Sequence, residues 1–297
     1  MNQFKSIYGR RYPNQLSDFV ELEYLLDEQL FSCFAPDVPI LKASDQVVTI
    51  GSCFAMNVAE SLQELGMKVL TLRFHEEANS PLANLLLLDY LVNREASPAR
   101  EMFEGTVPLS KADDLLEPIR SARCLIFTVG VGITCFDKRT GSLVLRPNNA
   151  NVDDIVWDFP TPEVSAAHLR GIIALVKSIN PGIHVVLTLS PIPLYRAITT
   201  GSAFVEDCVS KSHLRVALHN VFKDEGTENV YYWPSFEAFR WVGGHTGPVY
   251  GQDDGNPRHA SKEMVGMVAR TFAKYFAEPH VPGALPSTGT RDELRLI

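Results

Sequence analysis

Ser52 stands where two sequence patterns meet. Residues 46–50 form a short β-branched run, and from Phe54 onward the apolar residues Phe54, Val58, Leu62 and Leu65 recur at helical spacing. A serine between a strand and a helix has two uses. Its hydroxyl can cap the helix. Alternatively, exposed at the top of a sheet and near the positive end of the helix dipole, it can act as a nucleophile. The backbone N–H groups around it, from Gly51 onward, would then face the oxyanion that forms. A nucleophilic serine needs a base. Among the eight histidines, His259 is best placed, in a polar turn just before the last strong helical pattern. Asp253 and Asp254 precede it in the same turn and could orient the imidazole. His168, His213 and His219 fall inside helical patterns, His184 opens a strand, and His75 and His245 lie in loops. Cys53 could replace Ser52 as nucleophile, but its side chain would point toward the sheet and pack there. Lys211 and Arg215, four apart on a helix, share a face. They either bind an anionic substrate or form a solvated pair.

These residues need a scaffold that gathers them. Five strand patterns, at residues 46–50, 69–72, 124–129, 184–189 and 230–233, alternate with helical patterns at 54–65, 81–92, 161–179, 204–222 and 261–276. Ser80 and Pro81 mark one helix start, and Asn180-Pro181-Gly182 marks one helix end. Alternation of this kind predicts an α/β fold, a three-layer α/β/α sandwich with a mostly parallel five-stranded sheet covered on both faces. Ligands of such sheets bind at the carboxyl ends of the strands, which is where Ser52 and the loop of His259 would lie. Thr140-Gly141 reads as a hairpin turn between residues 135–136 and 143–145. Residues 1–45 read as an N-terminal extension packing on the domain, 46–277 as the catalytic domain, and 278–297 as a C-terminal tail.

Bulk properties narrow the chemistry. The 297 residues are 45% apolar, enough for a full core, and carry a formal net charge of −8. With no basic stripe, nucleic acid is not the expected partner. No run approaches the roughly 20 apolar residues of a membrane span, and residues 1–14 contain no apolar leader. Five cysteines without CxxC spacing predict reduced, packed thiols and a cytoplasmic, reducing compartment. Gly130-x-Gly132 is too short for a dinucleotide fingerprint. HExxH, EF-hand and Cys/His metal patterns are absent from the sequence. No metal or organic cofactor is expected, and composition says nothing about oligomeric state.

Five segments carry a resemblance to a known family. They are Gly51-Ser52-Cys53-Phe54-Ala55; Asn180-Pro181 followed by Leu187-Thr188-Leu189-Ser190-Pro191-Ile192-Pro193-Leu194; Ser210-Lys211-Ser212; Tyr231-Tyr232-Trp233-Pro234-Ser235-Phe236-Glu237; and Arg258-His259. In this order they resemble the GSCFA family, whose sheet is similar to that of the SGNH (GDSL-like) hydrolases, and the resemblance implies flavodoxin-like strand order. The resemblance runs from about residue 46 to 277. It implies Ser52 as nucleophile and His259 as base. The SGNH pattern puts an aspartate three residues before the histidine, where this chain has Asn256; Asp254 then becomes the choice for the third member. The pattern also draws oxyanion donors from a glycine after the second strand and an asparagine after the third. Here Gly130 follows the third strand, and Asn79, after the second, either supplies an amide or is a turn residue.

The resemblance implies acyl transfer from an ester, to water or to a hydroxyl, on a glycan or other small hydroxylated substrate. Two other readings of the same cleft stay open. One is a binding or scaffold protein that has lost the chemistry. The other is a carbohydrate-active enzyme using Asp253, Asp254 or Glu237 as acid and base. Trp233, Trp241, Phe236 and Tyr250 could stack on sugars or belong to the core.

Overall fold

The computed structural model describes residues 11–51, 53–73, 79–147, 150–223 and 227–279, together with the backbone of 293–295. Ser52, the proposed nucleophile, lies outside the described residues, as does His75.

A parallel sheet divides the chain into layers. Its strands are β1 (Gln46–Gly51), β2 (Lys68–Arg73), β3 (Cys124–Val129), β6 (His184–Leu189), β7 (Val230–Tyr232) and β8 (Glu293–Arg295). They run in the order β7-β6-β3-β1-β2-β8, and every pairing is parallel. The first five strands have the flavodoxin-like order that the family resemblance implied. The sixth, β8, comes from the segment read as tail and pairs Thr71–Arg73 with Glu293–Arg295. Three residues amid Pro, Gly, Ser and Thr give too short a period to register as a strand.

Why the strands are apolar throughout is clear from their burial. β3 and β6 are buried at every position, as strands covered on both faces must be. Alternate residues feed two cores. Val48, Ile50, Leu125, Phe127, Val185 and Leu187 face one cluster. Val47, Cys124, Ile126 and Val186 face the other. The first cluster is covered by α2 (Pro81–Asn93), α3 (Ala112–Ser121), α4 (Pro162–Ile179) and α5 (Ala203–Val221); the second by α1 (Cys53–Glu64) and α6 (Lys262–Phe276). The N-terminal extension completes the second core. Leu26 and Phe31 are fully buried, and Phe31 stacks on Trp233 with ring centroids 4.3 Å apart. Burying such an aromatic contributes about 1.5–3 kcal/mol.

The helices start where the sequence signals them. The hydroxyls of Ser80, Thr161, Ser202 and Ser261 each accept the N–H three residues on, satisfying a donor that the first helical turn leaves free. Helix α3 carries Pro118 internally, which hid it from a reading that stops helices at proline; burial of Leu115, Leu116 and Ile119 outweighs the lost hydrogen bond. The turn at Thr140-Gly141 forms, with Gly141 N–H donating to Asp137 O at 2.8 Å. Its hairpin is only one bridge long, Phe136 to Leu143. Strand β4 (Thr134–Asp137) instead pairs antiparallel with β5 (Ile155–Asp158). Among the described residues, no helix is long and apolar enough to cross a membrane.

Candidate functional site

Parallel pairing brings Gly51, Gly130 and Ser190, each at or just past a strand end, to one edge of the sheet. Gly51 has φ +150°, and a β-carbon there would lie 2.9 Å from Thr128 Cβ and 3.0 Å from Thr128 O. Only glycine fits this approach, so the residue before Ser52 is dictated by the neighbouring strand. The hydroxyl of Thr128 is itself buried with no hydrogen-bond partner among the described residues.

The turn after β3 is held from two sides. On one side, Asn79 O accepts the N–H of Val131 at 3.2 Å, and Asn79 Nδ2 would lie 2.7 Å from any β-carbon at Gly130. Asn79 is fully buried. Its Oδ1 accepts from Asn84 Nδ2 at 3.0 Å, whereas its Nδ2 is buried without a partner among the described residues. A donor left in that state costs about 1–3 kcal/mol, so it marks either strain or a partner supplied from outside. On the other side, Gly132 N–H donates to Ser210 Oγ at 3.0 Å, and Lys211 Nζ donates to Gly130 O at 2.6 Å. Lys211 is only 3% exposed. Neither it nor Arg215 forms a solvated pair. Arg215 pairs with Glu237, and its guanidinium sits 4.4 Å from the Tyr232 ring centroid. Tyr232 donates to Glu237 at 2.8 Å, and burial, then the neighbouring Glu237 charge, pushes its hydroxyl well above the ordinary tyrosine value. The Ser210-Lys211 and Tyr232–Glu237 motifs thus brace the edge from inside.

His259 reaches the same edge on a loop moored to the segment after β6. Arg258 Nη2 donates to Pro193 O at 3.1 Å, Tyr250 OH donates to Pro191 O at 3.0 Å, and Tyr250 bridges Ala260. Arg240 ties Pro191 O to the carboxylate of Asp207, the latter at 2.6 Å. Glu206, fully buried, accepts the N–H groups of Ile198, Thr199 and Thr200 at 2.8–2.9 Å. Burial pushes its carboxyl up, but these donors outweigh burial and hold it below the usual range. The loop between β6 and α5 is therefore fixed along its length.

Within its own loop, His259 Nδ1 lies 2.5 Å from Asp254 Oδ2, with the two side chains 53% and 48% exposed. Asp254 is held below the ordinary carboxylate range, first by His259 and then by the N–H of Asn256. Asp253 is occupied elsewhere: its carboxylate accepts the N–H of Lys262 at 2.8 Å, at the start of α6. With Glu237 bound by Arg215 and Tyr232, neither is poised as a glycosidase acid. Trp233 is core, Trp241 is exposed, and Phe236 and Tyr250 are partly buried. His245 is engaged by the N-terminal segment, 3.0 Å from Tyr12 OH. Cys124 and Cys135 are buried, Cys53 is half-buried at the start of α1, and all five thiols are free. Among the described residues, no group of three or more His, Cys, Asp or Glu is placed to hold a metal ion.

Sequence reasoning noted Asn256 only as a departure from the family's aspartate and passed over Arg240, Asp207 and Glu206, because isolated polar side chains carry no periodic signal. It also passed over Tyr195, 77% exposed with the Arg258 guanidinium 5.0 Å from its ring centroid.

A parallel α/β sheet with a histidine–carboxylate pair and glycine-lined turns along its carboxyl edge defines the class. The sequence model of the GSCFA family matches residues 108–272, more than half of the 297 residues, and the chain belongs to that family. The matched region carries the Asn180, Ser210, Tyr231 and Arg258 motifs and begins beyond Gly51–Ala55. No curated protein matches the sequence. Solved structures similar to the chain include a carbohydrate esterase family 2 enzyme with its carbohydrate binding domain from Corynascus thermopiles (Myceliophthora fergusii). It is 13% identical, with a TM-score of 0.42, over 81% of this chain and 67% of that one. The salicylyl-acyltransferase SsfX3 of a tetracycline biosynthetic pathway is 12% identical, with a TM-score of 0.42, over 78% and 53%. An acetyl xylan esterase (Est2A) from Butyrivibrio proteoclasticus is 11% identical, with a TM-score of 0.41, over 81% and 65%. The chain thus spans between about half and two thirds of these proteins.

Proposed function

We propose that this chain transfers acyl groups from esters through an acyl-Ser52 intermediate, as a hydrolase or an O-acyltransferase acting on hydroxylated glycans. The observation that carries the reading is the Asp254–His259 contact at the carboxyl edge of the sheet, the edge at which β1 delivers Gly51. His259, its Nδ1–H held by Asp254, takes the proton from Ser52 Oγ as that oxygen bonds to the acyl carbon. The carbonyl electron pair moves onto oxygen, and the buried Asn79 amide beside Gly130 is the candidate donor to it. Collapse of the intermediate expels the alcohol, which takes the proton back from His259. Water or a sugar hydroxyl then repeats the sequence on the acyl-serine. Lys211 and Gly130 act by fixing the turn beneath. Tyr195 supports the glycan substrate. Arg258, the neighbour of His259 in the chain, lies against the Tyr195 ring, Tyr195 is largely exposed, and such a ring offers an apolar face with a polar tip.

The test is intact-mass spectrometry after incubation with a fluorophosphonate. Wild type should gain one adduct; Ser52→Ala and His259→Ala should gain none while retaining their melting temperatures. A folded wild type that takes no adduct would refute the serine reading.

A further inference from the structure

Both ring nitrogens of His259 are engaged. Nδ1 faces Asp254 at 2.5 Å, and Nε2 lies 3.2 Å from Asn256 Nδ2. The main chain of Asn256 is held at both ends, its backbone N–H donating to Asp254 Oδ1 at 2.9 Å and its backbone carbonyl accepting the N–H of His259 at 2.9 Å. One contact sets which way the side-chain amide faces: Oδ1 accepts the N–H of Arg258 at 3.1 Å. With Oδ1 occupied by the main chain, the amide nitrogen is the end that meets the ring. An amide N–H can only donate, so Nε2 must carry a lone pair and the ring proton must sit on Nδ1, toward Asp254.

Nε2 is the nitrogen that must receive the serine proton if His259 is the base, so the contact competes with the reaction. We propose that Asn256, at the place where the SGNH pattern has its aspartate, is a positioning residue that latches His259 in the resting enzyme. It sets the reactive tautomer and turns the ring, then must release Nε2 as Ser52 Oγ–H takes its place. The inference rests on the reading of His259 as base, while its structural half, a donor held on Nε2, stands without it.

The experiment measures two rates on wild type, Asn256→Ala and Asn256→Asp. The first is carbethoxylation of His259 by diethyl pyrocarbonate, which needs an unprotonated, accessible ring nitrogen. The second is fluorophosphonate labelling of Ser52. Removing the donor in Asn256→Ala should raise both rates by about two- to tenfold, the range of one net hydrogen bond. Asn256→Asp keeps the acceptor for Arg258 but sets a carboxylate against Nε2, which favours the protonated ring, and should lower both rates. Carbethoxylation unchanged in both variants would overturn the latch. So would faster carbethoxylation with slower labelling in Asn256→Ala, the pattern of a loop that has merely loosened. If carbethoxylation shifts as expected but Ser52 takes no adduct in any variant, the latch stands and the serine reading fails.

Discussion

The two halves of the candidate site are built differently. Gly51, Thr128, Asn79, Gly130 and Lys211 form a cradle in which not even a methyl group fits over the glycines and Lys211 is only 3% exposed. Asp254 and His259, in contrast, are about half exposed on a polar turn. The cradle is set by close-packed strands, which admit few conformations. The Asp254–His259 pair is set by a few hydrogen bonds near water, each worth about 1 kcal/mol net. On the proposed mechanism, the part assigned to the developing charge is preorganised by packing, whereas the part assigned to the proton is held by hydrogen bonds alone.

That contrast can be broken in graded steps. Asn79→Ala should have the largest effect, a loss of kcat on the order of 10²–10³ if its amide serves the oxyanion, measured with a small chromogenic ester; retained kcat would remove Asn79 from the site. Asp254→Asn should follow, with about 10²-fold lower kcat at unchanged melting temperature, toward the lower end of what a positioned base contributes. Gly51→Ala and Lys211→Met should act through the fold instead. The first forces a side chain against Thr128 and costs about 1–3 kcal/mol; the second leaves Gly130 O unmet and costs about 1–3 kcal/mol, both read by chemical denaturation. Tyr195→Ala should raise KM for an acetylated oligosaccharide about two- to tenfold without changing turnover of 4-nitrophenyl acetate.

A further effect lies away from the site and is read in the pH dependence of stability. His184 is depressed from 6.5 to about 4, first by burial and then by the charge of Arg123. The unfolded chain therefore binds the proton more tightly than the folded one. Stability is full above pH 6.5 and falls as pH drops toward 4. His184→Asn should flatten that slope in a series of melting curves, and an unchanged slope would show that other groups set it.

The sequence by itself determined the five central strands and the helices between them other than α3, because hydrophobic period and caps are local signals written in consecutive residues; the strand order came through the family resemblance. The sequence also singled out Gly51, Asn79, Gly130, Lys211, Asp254 and His259 as candidates, through their positions after strands or before a helix and through the family motifs. What only the tertiary structure decided was how they are held. Lys211 and Arg215, one face of one helix, turn to different partners, Gly130 O and Glu237. Asp253 caps α6 while its neighbour Asp254 meets the imidazole. Asn256 reaches the second ring nitrogen. These choices depend on which side chains from distant segments arrive at the same few ångströms, and no local pattern encodes that.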